Sequence, residues 1–181
     1  MSLIPSFELG FRNAWIFILP IITMSVFGSI ILGKRERGGG PSFTGKVKIV
    51  NILYFSIMLL SYVYSVFLPL KLGTSWFFAG LFLYLIDISI EILALSSFYT
   101  TPVDKPVTKG VYRFSRNPRY IARTLATIGI GIACLSWIFL AVAIVNALLL
   151  RYYVVAGEEP FLLQKYENAY RDYMNRTPRW I

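Results

Sequence analysis

Three groups of residues combine types and spacings that suit chemistry: the adjacent carboxylates Glu158 and Glu159, Arg151 seven residues before them, and the run from Tyr112 to Tyr120 that contains Arg116-Asn117-Pro118. A guanidinium binds a carboxylate or phosphate through two parallel hydrogen bonds. A carboxylate can hold a cation or accept a hydrogen bond from a hydroxyl. Neighbouring glutamates on a helix cannot face the same way. One of the pair is therefore expected to face an inward cavity, while the other meets Arg151 or solvent. Asn117-Pro118 reads as a helix start, with Asn at the N-cap and Pro at the first helical position. Free amides of that first turn would attract a carboxylate. The competing reading of this run is plain helix capping plus basic loop charge.

What is missing narrows the chemistry further. The chain has no histidine and a single cysteine, Cys134. A Ser-His-Asp triad, a Cys-His pair and a histidine-ligated zinc site are excluded, as is a disulfide within the chain. No metal is expected. Catalysis must draw on carboxylates, Tyr, Arg, Lys, hydroxyls, backbone groups or a bound cofactor.

The elements that must position these residues are membrane helices. Of 181 residues, 56% are hydrophobic and only 15% charged, against about 25% charged in an ordinary soluble domain. At about 20 apolar residues per span, that composition supports about five spans and little else. Apolar runs are expected at about 14–32, 49–70 and 76–98, followed by a double-length run at 120–155 that folds as a helical hairpin around Cys134-Leu-Ser-Trp137. The first run reads as a span rather than a cleavable leader, because it is full length and Glu8 and Arg12 precede it. The glycine-rich stretch 33–41 reads as a connector.

Charge distribution tests the same topology. Lys34, Arg35, Arg37, Lys46 and Lys48 follow the first run, and Lys105, Lys109, Arg113, Arg116 and Arg119 follow the third. Only Lys71 follows the second, and the hairpin tip carries no charge. The alternation places both basic segments and the C-terminus in the cytoplasm. The net charge of +9 accordingly points to anionic lipid rather than to nucleic acid. Asp87 and Glu91 share one face of the third span, where an ionised group is costly. They read as a structural pair between helices, as a polar pocket or proton path, or as partners of Arg123. Gly129 and Gly131 read as a packing surface.

The series Pro106-Val-Thr-Lys-Gly110-Val-Tyr112, Arg116-Asn-Pro118-Arg-Tyr120, an apolar hairpin, Glu158-Glu159, then Tyr166, Tyr170, Tyr173 and Thr177-Pro-Arg179 resembles the isoprenylcysteine carboxyl methyltransferase and phospholipid methyltransferase superfamily. These are integral membrane enzymes that use S-adenosylmethionine. The resemblance covers about 106–179. Where the family usually carries Arg-His-Pro-x-Tyr this chain has Asn117, which can donate a hydrogen bond but supplies no charge and no base. Asn117-Pro-x-Tyr120 and Glu158-Glu-Pro-Phe161 are the forms of the phospholipid branch, whereas the tail is closer to the isoprenylcysteine branch. The phospholipid branch's Gly-x-Gly in the preceding span is not clear here, since Gly80 stands alone.

The apolar runs give an all-α membrane bundle with an N-terminal three-span region (1–99), and the resemblance implies a methyltransferase core in the remainder (100–181). It implies that Tyr112, Arg116, Asn117, Pro118 and Tyr120 embrace the cofactor, with Glu158 or Glu159 on its ammonium or ribose. Arg151, Glu158 and Glu159 are the expected catalytic groups. Arg151 would orient an acceptor headgroup, and either glutamate would deprotonate an amine. The acceptor would be a lipophilic molecule reached from the bilayer: a prenylcysteine carboxylate, a phospholipid amine or another lipophilic nucleophile. The alternative function is a non-catalytic membrane scaffold or a small transporter using Asp87 and Glu91.

Overall fold

A computed structural model describes residues 8–35 and 43–180. Among the described residues, six α-helices account for the architecture: α1 (Trp15–Arg35), α2 (Gly45–Ser65), α3 (Ser75–Tyr99), α4 (Pro118–Ala133), α5 (Trp137–Tyr153) and α6 (Glu159–Arg176). A short 3-10 turn, Gly110–Arg113, precedes α4, and a π-helical turn, Val154–Glu158, joins α5 to α6. No strand occurs among the described residues; the one β-bridge pairs Asn13 with Pro69. The expected all-α membrane bundle is what forms.

Three helical stretches among the described residues are long and apolar enough to cross a membrane: Gly45–Ser65, Ser75–Tyr99 and the continuous Trp137–Arg176, whose first part is α5. Trp15–Ile30 is a shorter apolar helix. Their outward faces carry large apolar side chains such as Phe55, Leu60, Phe82, Ile144 and Leu148, all largely exposed. That is the surface expected where lipid rather than water is the solvent.

α4 is the central helix. At 16 residues it is about 24 Å long, short of the roughly 30 Å hydrocarbon core, and its inward positions are small: Ala122, Ala126, Gly129 and Ala133 are all buried. Small residues let helix backbones meet closely. A Cβ on Gly80 of α3 would lie 2.3 Å from the carbonyl oxygen of Gly129, and one on Gly129 would lie 2.7 Å from that of Gly80. Gly131 packs instead against Leu140 of α5. The glycine pair expected as a packing surface therefore serves one neighbour each. The hairpin tip turns tightly through Leu135, at φ 55°, and Ser136 then caps α5, its Oγ accepting from the Phe139 amide at 3.4 Å.

Two boundaries differ from the sequence expectation. α1 continues through Gly33 to Arg35, and the rest of the glycine-rich connector, 36–41, lies outside the described residues. α2 starts at Gly45, taking Lys46 and Lys48 into its first turn, and stops at Ser65 rather than near 70. Residues 66–70 instead run beside the N-terminal segment: Ala14 N donates to Leu68 O at 2.8 Å and Leu70 N to Arg12 O at 3.0 Å. Asn13 Nδ2 adds a bond to Val66 O at 2.7 Å, and Lys71 N bonds Ala133 O at the hairpin tip. Tertiary pairing thus satisfies backbone groups that apolar periodicity alone assigned to a helix. One end of the bundle is closed by these links, and the opposite end carries segments 100–117 and 154–180.

Candidate active site

The second end is built from local features that each have a cause. Gly110 sits at φ 61°, and a Cβ there would meet Ser97 Oγ at 2.4 Å. Only glycine permits both the left-handed backbone and this approach to α3. The 3-10 turn that follows buries Tyr112, whose ring meets Phe98 edge-on at 5.5 Å. Tyr173 of α6 donates to the Tyr112 carbonyl at 2.6 Å, so α6 closes over this turn.

Asn117 is the N-cap residue of α4, with Pro118 at the first helical position, but its side chain makes no capping bond. The Asn117 amide instead donates to Arg179 O at 3.1 Å. Ser115 Oγ donates to the same carbonyl at 3.1 Å, and Arg116 N donates to Pro178 O at 2.9 Å. The turn before α4 is therefore stitched to the chain after α6. The expectation of several free amides at the start of α4 is corrected: Pro118 has none, and the Tyr120 and Ile121 amides both bond Asn117 O.

The two glutamates separate. Glu159 is buried and gripped by Arg179, whose Nε and Nη2 donate to its two oxygens at 3.0 and 2.7 Å. Arg116 Nη1 approaches within 3.2 Å of Glu159 Oε1 without hydrogen-bond alignment, and Arg116 Nε has no hydrogen-bond partner among the described residues, although the side chain is only 7% exposed. The bond to Glu159 pushes the Arg179 pKa up. Glu158 points the other way and accepts from the Tyr120 hydroxyl at 2.6 Å. The π-turn sets this division, because its wider winding changes the angle at which the last residues of α5 hand over to α6. Such turns recur at functional sites.

Tyr112, Arg116, Asn117, Tyr120 and Glu158 are thereby brought to one cavity of about 220 Å³, which α6 roofs with Phe161, Leu162, Lys165, Tyr166, Tyr170 and Tyr173. Burial pushes the phenols of Tyr112, Tyr170 and Tyr173 up from their ordinary value. They stay protonated at neutral pH and act as hydrogen-bond donors and apolar walls, not as bases. Of the other expected site residues, Pro118 is buried in the α4 start and Glu159 belongs to the arginine clamp behind the wall. Arg151 stands outside the cavity, in an apolar groove between α4 and α5 that also contains Ile121, Thr124, Leu148 and Trp180. Tyr120 lines both spaces.

Sequence reasoning missed Arg119, which also lines the cavity. Its Nε and Nη2 donate to Glu91 Oε1 at 3.0 and 2.6 Å, while Arg123 Nη2 lies 3.8 Å from the same oxygen. Arg123 is thus the more distant partner of Glu91. The signal was present, since Arg119 and Arg123 repeat the four-residue spacing of Asp87 and Glu91 on the facing helix. Arg179, named from the sequence only as part of a resemblance, has no local signal for its bond to Glu159 twenty residues earlier.

The phospholipid methyltransferase family matches residues 72–169. The chain belongs to that family. The match reaches further towards the N-terminus than the motif series, taking in all of α3, and stops inside α6 before Tyr170. No curated protein matches the chain. Membership makes the protein a membrane methyltransferase and implies S-adenosylmethionine as its methyl donor.

Proposed function

We propose that this methyltransferase binds S-adenosylmethionine in the α4–α6 cavity and methylates the amine of a phospholipid that reaches it from the bilayer, with this end of the bundle facing the cytoplasm. The residues present suit that donor. The buried Arg116 Nε lacks a partner and lines the cavity, where a donor's carboxylate would complete it. Tyr112, Phe161, Tyr170 and Tyr173 offer aromatic walls to a purine. Glu158 supplies an acceptor for ribose hydroxyls or an ammonium. When bound, the donor provides a methyl group already activated by its sulfonium charge. The protein's task is therefore alignment more than acid-base work, and a missing histidine is no obstacle.

The observation that carries the amine reading is the shared wall. Tyr120 faces the groove with Arg151 at one side and is bonded to Glu158 at the other. A zwitterionic headgroup has matching poles, a phosphate for Arg151 and an ammonium for Glu158. Glu158, held by the Tyr120 phenol, then takes the proton that the amine must lose before it can attack. A carboxylate acceptor needs no base and leaves Glu158 without this part. A transporter that uses Asp87 and Glu91 is disfavoured, because Glu91 is locked between helices by Arg119 and Arg123.

The reading is tested by steady-state kinetics of methyl transfer to an ethanolamine phospholipid in mixed micelles. Arg151→Ala is expected to raise the lipid KM by about tenfold, the range of one charge-assisted phosphate contact, with the donor KM unchanged. An unchanged lipid KM would remove Arg151 and the groove from the account.

A further inference from the structure

The cavity is more cationic than a site for a cationic methyl donor should be. Arg116, Arg119 and Lys165 line it, against one lining acid, Glu158. Two acids outside the wall restore the balance. Glu159 backs Arg116 and is shared with Arg179. Glu91 backs Arg119 from inside the bundle, accepting from both its Nε and its Nη2.

Glu91 lies in the membrane helix α3 and is 1% exposed. A carboxylate at such a position is costly unless its charge is used. Among the described residues, other charges close by form one pair: Asp87, one turn earlier on α3, is attracted electrostatically by Arg123, whose Nη2 reaches within 3.8 Å of Glu91. Asp87 and Arg123 offset each other, and Glu91 offsets Arg119, so the four groups carry no net charge beneath the cavity. Arg119 also lies 5.9 Å from the Phe98 ring, which fixes it as part of the floor. Removing Glu91 leaves the floor with an uncompensated cation.

We infer that Glu91 is the counter-charge that lets the cavity hold a positively charged methyl donor, acting through Arg119 as a positioning residue rather than by touching the donor. The inference rests on the functional reading above. It has a signature that a merely structural role lacks. S-Adenosylmethionine and its demethylated product have nearly the same shape and differ by a methyl group and one positive charge. Loss of a negative charge below the floor weakens the sulfonium ligand more than the neutral thioether.

The experiment is isothermal titration of the purified full chain in detergent with S-adenosylmethionine and, separately, S-adenosylhomocysteine. In Glu91→Gln the Kd ratio of donor to product is expected to rise by roughly threefold to tenfold, the range for one charge acting across about 10 Å of protein. In Arg119→Gln, which leaves the Glu91 carboxylate without its hydrogen-bonded cation, the ratio falls. The double variant Glu91→Gln/Arg119→Gln restores charge balance and returns the ratio towards the wild-type value, even where both affinities drop. Equal weakening of both ligands in Glu91→Gln, or no change, overturns the inference. Should Glu91→Gln fail to fold, Arg119→Gln decides alone, and a ratio that does not fall overturns it. Wild-type protein that binds neither ligand refutes the functional reading itself, a distinct result.

Discussion

Glu158 and Glu159 are neighbours in the chain with different partners. Glu159 ties Arg116 to Arg179 and so holds the chain after α6 against the turn before α4. Glu158 meets the Tyr120 phenol at the cavity wall. The two isosteric substitutions are therefore expected to differ in kind. Glu159→Gln leaves two guanidinium groups without their anion and costs about 2 kcal/mol of stability, at the low side for a broken buried pair because Arg179 is partly open to solvent; thermal unfolding in detergent measures it. Glu158→Gln leaves the unfolding temperature close to wild type and lowers turnover by about a hundredfold, within the range for loss of a general base. Equal melting temperatures with equal turnover would contradict the division of labour. The pair was legible in the sequence, and so was the rule that its members diverge. Which one faces the cavity was not, because that depends on the π-turn and on Arg179, neither of which has a local signature. The same holds for Asn117: its place as N-cap residue could be read from Asn-Pro, but its bond to the Arg179 carbonyl is a long-range contact.

At the scale of elements, the site depends on how closely α3 and α4 approach. The first turn of α4 carries Arg119 and Tyr120, and its depth against α3 is set by Gly80 facing Gly129 below and by the Glu91 bond to Arg119 above. Backbone atoms, not flexible side chains, occupy the space where a Cβ on Gly80 would go. Gly80→Leu is expected to force the helices apart and destabilise the bundle by about 3 kcal/mol, the upper part of the range for overpacking. Cofactor affinity falls with it, as ligand titration alongside thermal unfolding would show. Apolar run length located all of these helices well where lipid faces most of the surface, as in α3. It failed for the end of α2, where residues 66–70 are apolar for a different reason: Val66 and Phe67 leave the helix in a turn, and residues 68–70 pair with the N-terminal segment. The facing of Gly80 and Gly129 was invisible for a similar reason, since periodicity along one helix carries no register against another.

Over the whole molecule, polar chemistry gathers at one end of an apolar bundle, and the other end is closed by short links with little charge. The proposed function has the site end in the cytoplasm, the side that the positive-inside rule gives to basic segments. In a Cys134→Ser background, Asp172→Cys on the exposed side of α6 is expected to react with a membrane-impermeant maleimide only in inside-out vesicles; labelling in right-side-out vesicles would reverse the topology. The groove between α4 and α5, with Arg151 and Trp180 at its wall, is mostly apolar and suits a lipid, and the cavity beyond Tyr120 carries the groups suited to a water-soluble donor. A lipophilic acceptor and a soluble donor can then meet at Tyr120 and Glu158 without either leaving its own solvent. The most direct test of this account is the base stability of the lipid product formed with methyl-radiolabelled S-adenosylmethionine, when an ethanolamine phospholipid and a prenylcysteine analogue are offered together. The account predicts label on nitrogen in the phospholipid headgroup, retained as a methylated amine after alkaline treatment. Label released as methanol, the mark of a carboxyl methyl ester, would contradict it.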